Sequence, residues 1–277
     1  MNYSPRKMKE NLENNNFKFK KNFGQNFIID ENIVNSIVNK AQIKENSLVI
    51  EIGPGAGSLT GKLCQVAKYV LCYEIDESIE NILNENLNCY NNYEVIFDDF
   101  LKRNVEEDLK KYNYDNLYVV ANLPYYITTP IVVKLVEENI DVSKIVVMVQ
   151  KEVGDRFKAV PGTKDYSSLS VFLSYYFKTS KLLDVSRNVF IPKPNVDSIV
   201  VALEKKMELK HLENKELFFK LVKDSFTQKR KTLRNNLKDY DLENIKLTLE
   251  KYNLDLSVRA EQLSLDIFIE ISNNLSK

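Results

Sequence analysis

The stretch VVANLPYYITTP, Val119 to Pro130, runs from apolar residues into an asparagine, a leucine, a proline and two tyrosines. An amide, a rigid turn and aromatic rings in succession are not what packing at a strand end requires. They suit a pocket for a flat ring that carries an amine. Such an amine is a poor nucleophile, because its lone pair is delocalised into the ring. The Asn122 side-chain oxygen can accept one amine proton. A main-chain carbonyl held by the Pro124 turn, that of Leu123, can accept the other. Two acceptors favour a tetrahedral nitrogen with its lone pair directed away from both. An electrophilic methyl placed along that direction is taken in line without a general base, by orientation and electrostatics. Tyr125 offers a stacking face for the base, worth ~1–3 kcal/mol. The competing reading is structural, with Asn122 as a helix cap and the tyrosines, Tyr126 above all, in the core.

A second constellation lies upstream. VIEIGPGAGSLT places Gly53, Gly55 and Gly57 after an apolar strand and before a helix. Glycine permits close backbone approach and positive φ. The spacing is GxGxG rather than the GxGxxG of dinucleotide sites, and Pro54 removes an amide donor from the turn. Glu74 closes the next strand, 21 residues after Gly53. A carboxylate there can accept both hydroxyls of a ribose. Asp99 closes the third strand and can accept from an adenine amine. This set suits an adenosine-bearing cofactor without phosphates, so S-adenosyl-L-methionine fits better than NAD. The alternative is that the carboxylates cap helices, and for Asp98 that reading is preferred. In NVFIPKPNVDS, Phe190 precedes Pro192 and Pro194. A rigid extended loop of this kind would hold its ring as a second wall against the target base.

Strand and helix signals must alternate to bring these residues to one edge, and they do. SLVIEIG, YVLCYEI, YEVIF, LYVVAN and SKIVVMVQ read as five strands, with KLLDVS and VDSIVVALE as the sixth and seventh. Helical segments separate the early ones, the first of them ENIVNSIVNKA after a cap at Asp30. The pattern predicts an α/β domain with a mostly parallel, seven-stranded sheet over 21–206, with its ligand crevice at the carboxyl ends of the strands. From about Met207 only helical periodicity continues. A small all-helical C-terminal domain is expected over 207–277, and a flexible basic arm over 1–20.

Bulk properties narrow the function classes. The chain has 277 residues and no net charge, with 39 basic and 39 acidic side chains. Its charge is uneven. SFTQKRKTLRNNLK, Ser225 to Lys238, carries five basic residues and no acidic one, and the first 24 residues carry six basic against two acidic. Lys229, Arg230, Lys231 and Arg234 are the candidate contacts to RNA phosphates. The other reading is two solvated faces. His211 is the only histidine, so no multi-histidine metal site is expected and no metal is assigned. Three cysteines without a CxxC spacing read as reduced thiols, which suits a cytoplasmic protein. No apolar run approaches the ~18 residues of a membrane span. The polar start MNYSPRKMKENLENNN lacks the apolar core of a secretory signal.

These motifs together resemble the ribosomal RNA adenine dimethylases, and within them the small-subunit branch. The matching stretches are KKNFGQNFIID, VIEIGPGAGSLT, YEID, DDFL, NLPYYITTPI, QKEVGDRF, VFIPKPNVDSIVVAL and FTQKRKTLRNNL, in family order. The resemblance implies S-adenosyl-L-methionine as methyl donor. It implies a Rossmann-like methyltransferase domain followed by a small helical domain. It implies dimethylation of two adjacent adenosines in a hairpin near the 3′ end of small-subunit rRNA, on a pre-assembled subunit. Nothing in the sequence suggests an obligate dimer, and a monomer is expected. It implies cofactor contacts from Asn26, Ile28, Gly53, Glu74, Asp99 and Asn122, with Leu123, Tyr125 and Phe190 holding the target base. Two positions depart from the family pattern: Ser167 stands where glycine is usual and Lys229 where arginine is usual. Large-subunit rRNA methylation on the same fold, and a non-catalytic ribosome assembly factor, are the alternatives.

Overall fold

A computed structural model describes residues 5–14, 17, 19–20, 24–124 and 127–276. Among them, β1 (Phe27–Ile28) and β8 (Phe190–Ile191) form a two-stranded ladder. The other strands are β2 (Ser47–Ile52), β3 (Tyr69–Glu74), β4 (Tyr93–Phe97), β5 (Asn116–Asn122), β6 (Lys144–Gln150), β7 (Phe177–Val185) and β9 (Ser198–Lys205). They form one sheet in the order β4-β3-β2-β5-β6-β9-β7. β2 pairs in parallel with β3 on one side and β5 on the other, and β9 runs antiparallel to β6. The seven expected strands are present, and the sheet is the mostly parallel one that their alternation with helices predicts.

β2 is buried at all six positions, as a strand covered on both faces must be. The helix Glu31–Ala41 supplies part of that cover through Val34, Ile37, Val38 and Ala41. This i, i+3, i+4, i+7 spacing makes one stripe. Asp30 starts the helix as expected, its side chain accepting from the Asn32 amide at 2.8 Å. A cap of this kind is worth about 1 kcal/mol. In the turn after β2, Gly57 sits at φ +81°, where a Cβ would meet Leu83 at 2.9 Å. Only glycine fits both demands.

β2 also buries Glu51, whose carboxylate lies 3.8 Å from the Cys72 thiol. Burial pushes its carboxyl from the ordinary 4.5 up to about 8, with Glu74 adding a smaller push. The folded chain therefore holds a proton that the unfolded chain releases first. Stability from this group is present below about 4.5 and is lost as pH rises through about 8. Glu51→Gln, which keeps the neutral shape, should flatten that decline. Urea unfolding across the window checks it, and an unchanged slope would assign the pH dependence elsewhere.

The chain divides into two units: Met1–Gly154 with Ser180–Glu204, and Asp155–Thr179 with Lys205–Lys277. The second unit's C-terminal part begins at Lys205. The unit also takes in a segment from the middle of the chain. Tyr166, Val171 and Tyr175 bury their side chains in one cluster with Phe218, Leu221 and Phe268. That packing is non-local, so periodicity along the chain does not reveal it. Ser167 stands at the N-cap of the helix Ser168–Tyr176 of this unit, its amide donating to the Ser170 hydroxyl at 3.2 Å. Serine is favoured at such a cap.

The basic start is not a free arm throughout. Pro5–Asn14 is helical, and Leu12 is buried against Phe27, Ala56, Ile79 and Ile82. An amphipathic stripe this short, with one strong apolar anchor, is hard to see among polar neighbours.

Candidate active site

The chain runs outward from β2 through β3 to β4, then returns to place β5 on the other side of β2. The strand order reverses between β2 and β5, and in sheets of this kind the ligand crevice opens there. A cavity lies at that point, at the carboxyl ends of four strands. Gly53 and Gly55 follow β2, Glu74 ends β3, Asp98 and Asp99 follow β4, and Asn122, Leu123 and Pro124 close β5. All of them line it, together with Asn26 from the N-terminal segment.

The glycine turn has few free amides. Gly53 donates to the Tyr73 carbonyl at 2.8 Å, and Gly57 donates to the Pro54 carbonyl at 2.9 Å. Gly55 donates to Glu74 Oε2 at 3.1 Å, and Pro54 has no N–H. No lysine or arginine lines the cavity among the described residues, whereas three carboxylates do. A pyrophosphate would find neither donors nor positive charge here. An adenosine with a cationic sulfonium suits the site instead. Glu74 is the natural acceptor for ribose hydroxyls, Asp99 for an amine, and Ile75, Phe100 and Leu101 add apolar surface for a flat base. The residues present therefore fit S-adenosyl-L-methionine.

Glu74 is held before any ligand arrives. Its Oε1 accepts from the Asp76 amide at 3.0 Å while Oε2 takes Gly55. Burial raises its carboxyl, and these two amides partly offset the effect. Glu74→Ala should weaken cofactor binding by ~1.5–3 kcal/mol, the size of a charge-assisted hydrogen bond. Calorimetric titration with S-adenosylmethionine checks this, and an unchanged Kd would remove Glu74 from the site.

Asn122 does not cap the helix that follows. Thr128–Glu137 starts at Ile127 without a side-chain cap. The Asn122 Nδ2 instead donates to the Asn26 carbonyl at 2.9 Å. A carbonyl only accepts, so the amide orientation is fixed and Oδ1 is left as an acceptor for the cavity. The Pro124 carbonyl is used, accepting from the Ile127 amide at 3.2 Å and the Thr128 hydroxyl at 3.4 Å. Among the described residues, neither Asn122 Oδ1 nor the Leu123 carbonyl has a donor.

Several expected residues stand elsewhere. Tyr125 and Tyr126 lie outside the described residues. Asp99, not Asp98, is the cap: its Oδ1 accepts from the Leu101 amide at 3.0 Å, while Asp98 pairs with Arg103 at 3.4 Å. Ile28 and Phe190 do not line the cavity. They are register partners in the β1–β8 ladder, and each is 3% exposed in the core beneath the sheet. Residues opposite each other share a face, so the pairing that buries Ile28 also turns the Phe190 ring inward. Phe27, on the alternate face, lines the cavity instead. Lys229, Arg230, Lys231 and Arg234 are all exposed in the second unit. The Lys229 ammonium also donates to the Lys164 carbonyl. Sequence reasoning gave no role to Asp76 or Gln25. The D-x-S spacing of Asp76 and Ser78, a capping pattern, is the one local signal of the former.

The ribosomal RNA adenine dimethylase family model matches residues 16–277. The protein named ribosomal RNA small subunit methyltransferase A of Staphylococcus aureus (strain bovine RF122 / ET3-1) is 45% identical over 283 residues. That match covers 99% of this chain and 95% of the relative. A dimethyladenosine transferase from Plasmodium falciparum superposes with a TM-score of 0.73 at 27% identity, covering 88% of this chain and 95% of that one. The 23S rRNA methyltransferase ErmE superposes with a TM-score of 0.70 at 25% identity, covering 91% and 100%. With the family model matching all but the first 15 residues, and an acidic cavity at the strand ends that suits a sulfonium cofactor rather than a phosphate, the chain belongs to the ribosomal RNA adenine dimethylase family.

Proposed function

We propose that this protein dimethylates the exocyclic amines of two adjacent adenosines in a hairpin near the 3′ end of small-subunit rRNA. The observation that carries the reading is the Asn122 side chain. Its nitrogen donates to the Asn26 carbonyl, which leaves its oxygen as the acceptor in a cavity that Leu123 also lines. Bound S-adenosyl-L-methionine supplies an electrophilic methyl group. Glu74, Asp99, Asn26 and the Gly53–Gly55 turn would hold it. Asn122 Oδ1 and the Leu123 carbonyl would each accept a hydrogen bond from one N–H of the incoming adenine amine and so fix the direction of its lone pair. The nitrogen becomes cationic as it is alkylated, and the two acceptors stabilise that charge. Tyr125 follows directly in sequence and would stack on the base, which must leave its own stack to reach this depth. The core position of Phe190 argues against it as the second wall in this state.

The small-subunit target is favoured by the relative at 45% identity over nearly the whole chain, whose name specifies that subunit. Lys229, Arg230, Lys231 and Arg234 would dock on rRNA phosphates, with the helical unit as the platform. We further read the protein as a cytoplasmic monomer acting on a pre-assembled subunit during biogenesis. Among the described residues no helix is long and apolar enough to cross a membrane.

The test is methyl transfer from labelled S-adenosylmethionine to small and large ribosomal subunits lacking modified adenosines. Dimethyladenosine on small-subunit RNA is expected. Label on large-subunit RNA would move the protein to the other branch, and no label on either would leave the target reading without support.

A further inference from the structure

Asp76 is fully buried at its side chain yet collects donors from two directions. Its Oδ1 accepts from Lys20 Nζ at 2.6 Å, the Ser78 hydroxyl at 2.6 Å and the Ser78 amide at 3.1 Å. Its Oδ2 accepts from Gln25 Nε2 at 2.7 Å. Burial pushes its carboxyl up, but Lys20, Ser78 and Gln25 outweigh that and hold it below the usual range. Gln25 is used at both ends, because its Oε1 accepts from the Lys20 amide at 2.8 Å. The next residue is Asn26, whose carbonyl receives Asn122. Residues 24–26 therefore form a short strap that lines the cavity. One end is tied beside Glu74, on the cofactor side, and the other is tied to Asn122, on the target side.

We infer that Gln25 and Asp76 are positioning residues for methyl transfer, acting through the Asn26 carbonyl to hold the Asn122 amide in its productive orientation. This rests on the reading of Asn122 as an amine acceptor. The Asn26 carbonyl reaches Asn122 only while its segment stays in place. Asn26 itself donates locally, to the Gly24 carbonyl at 2.9 Å. The ties from Gln25 to Asp76 and from Lys20 to Asp76 anchor that local turn to β3. If they are lost, the Asn26 carbonyl drifts, the Asn122 amide is free to flip, and a donor replaces the acceptor in the cavity. The same Asp76 presents its own amide to Glu74. One residue thus helps order both halves of the site.

The Gln25–Asp76 pair can be reversed to test this. Gln25→Glu sets two carboxylates against each other. Asp76→Asn sets two amide nitrogens against each other, unless Gln25 flips and abandons the Lys20 amide. The double variant restores one donor and one acceptor in swapped places, and the amide introduced by Asp76→Asn keeps an oxygen for Ser78. Two readouts need no RNA: the side-chain amide resonance of Asn122, assigned by its absence in Asn122→Ser, and backbone amide exchange over residues 24–28. The third is the first-turnover methylation rate with cofactor and small subunit both saturating.

In Gln25→Glu the Asn122 resonance should shift. Exchange in the segment should rise by about tenfold or more. The first turnover should slow by about 10²-fold, as for other small misplacements near a reacting centre. The double variant should recover all three. An unmoved Asn122 resonance would overturn the inference. So would a normal first-turnover rate in a variant whose resonance has moved. A double variant no better than the singles would overturn it as well, because fold damage rather than the pairing is then being read. If wild-type protein itself transfers no methyl, the substrate reading has failed, and the Asn122 resonance still decides whether the strap positions that amide.

Discussion

Asn122→Ala should lower methyl transfer by about 10²–10³-fold or more, the range for removing one preorganised polar group from a developing charge. Cofactor binding should remain measurable by calorimetry, because Glu74, Asp99 and the glycine turn are untouched. The effect is large for a geometric reason. The site supplies two fixed acceptors to one amine, and with one of them missing the nitrogen has no reason to turn its lone pair toward the methyl. The Leu123 carbonyl alone can satisfy one proton while the ring stays conjugated with the nitrogen. The loss should fall on the turnover of bound substrate rather than on cofactor affinity. Asn122→Asp separates orientation from charge, since it keeps an acceptor but loses the donor that reaches the Asn26 carbonyl. Single-turnover assays on small subunits check both variants, and undiminished turnover in Asn122→Ala would discard the amine geometry.

Neutralising Lys229, Arg230, Lys231 and Arg234 together should weaken binding to the ribosomal subunit and flatten its dependence on salt. Each lost phosphate contact removes ~0.7–0.9 from the slope of log K against log salt. Lys229 is already engaged by the Lys164 carbonyl, so its charge is partly committed within the protein. The slope should then fall by about 2–3, which at 0.1 M salt corresponds to roughly 10²–10³ in affinity. Cofactor affinity should not move, because none of the four lines the crevice. Filter binding at several salt concentrations, with calorimetry for the cofactor, separates the two effects. Unchanged affinity and slope would mean that this stretch is only a solvated face. Changing Lys229 alone to Arg in an otherwise intact chain should strengthen binding modestly, since the guanidinium adds a bidentate fork.

The sequence by itself determined the strands and the edge at which their carboxyl ends meet. The runs SLVIEI, YVLCYE and NLYVVAN are near-continuous apolar segments, the signature of strands buried on both faces, whereas YEVIF at the sheet edge is only half-buried. Gly53, Gly55, Glu74, Asp99, Asn122 and Leu123 were legible for a related reason. Each stands at a strand end, and parallel strands joined by right-handed crossovers bring those ends to one edge. What only the tertiary structure decided depends on contacts between distant segments. Ile28 and Phe190 are separated by 162 positions in the chain and meet as register partners, which buries a ring that its own prolines suggested would face the ligand. Asp155–Thr179 joined the helical unit because Tyr166, Val171 and Tyr175 found their partners there. Asp76 and Gln25 carried no role of their own in the sequence, because a buried charge is tolerable only when its donors are in place. Those donors come from Lys20 and Gln25, about 50 residues upstream. Local pattern reports how each segment divides between water and core, and it carries no record of which distant segment supplies the other half of a hydrogen bond.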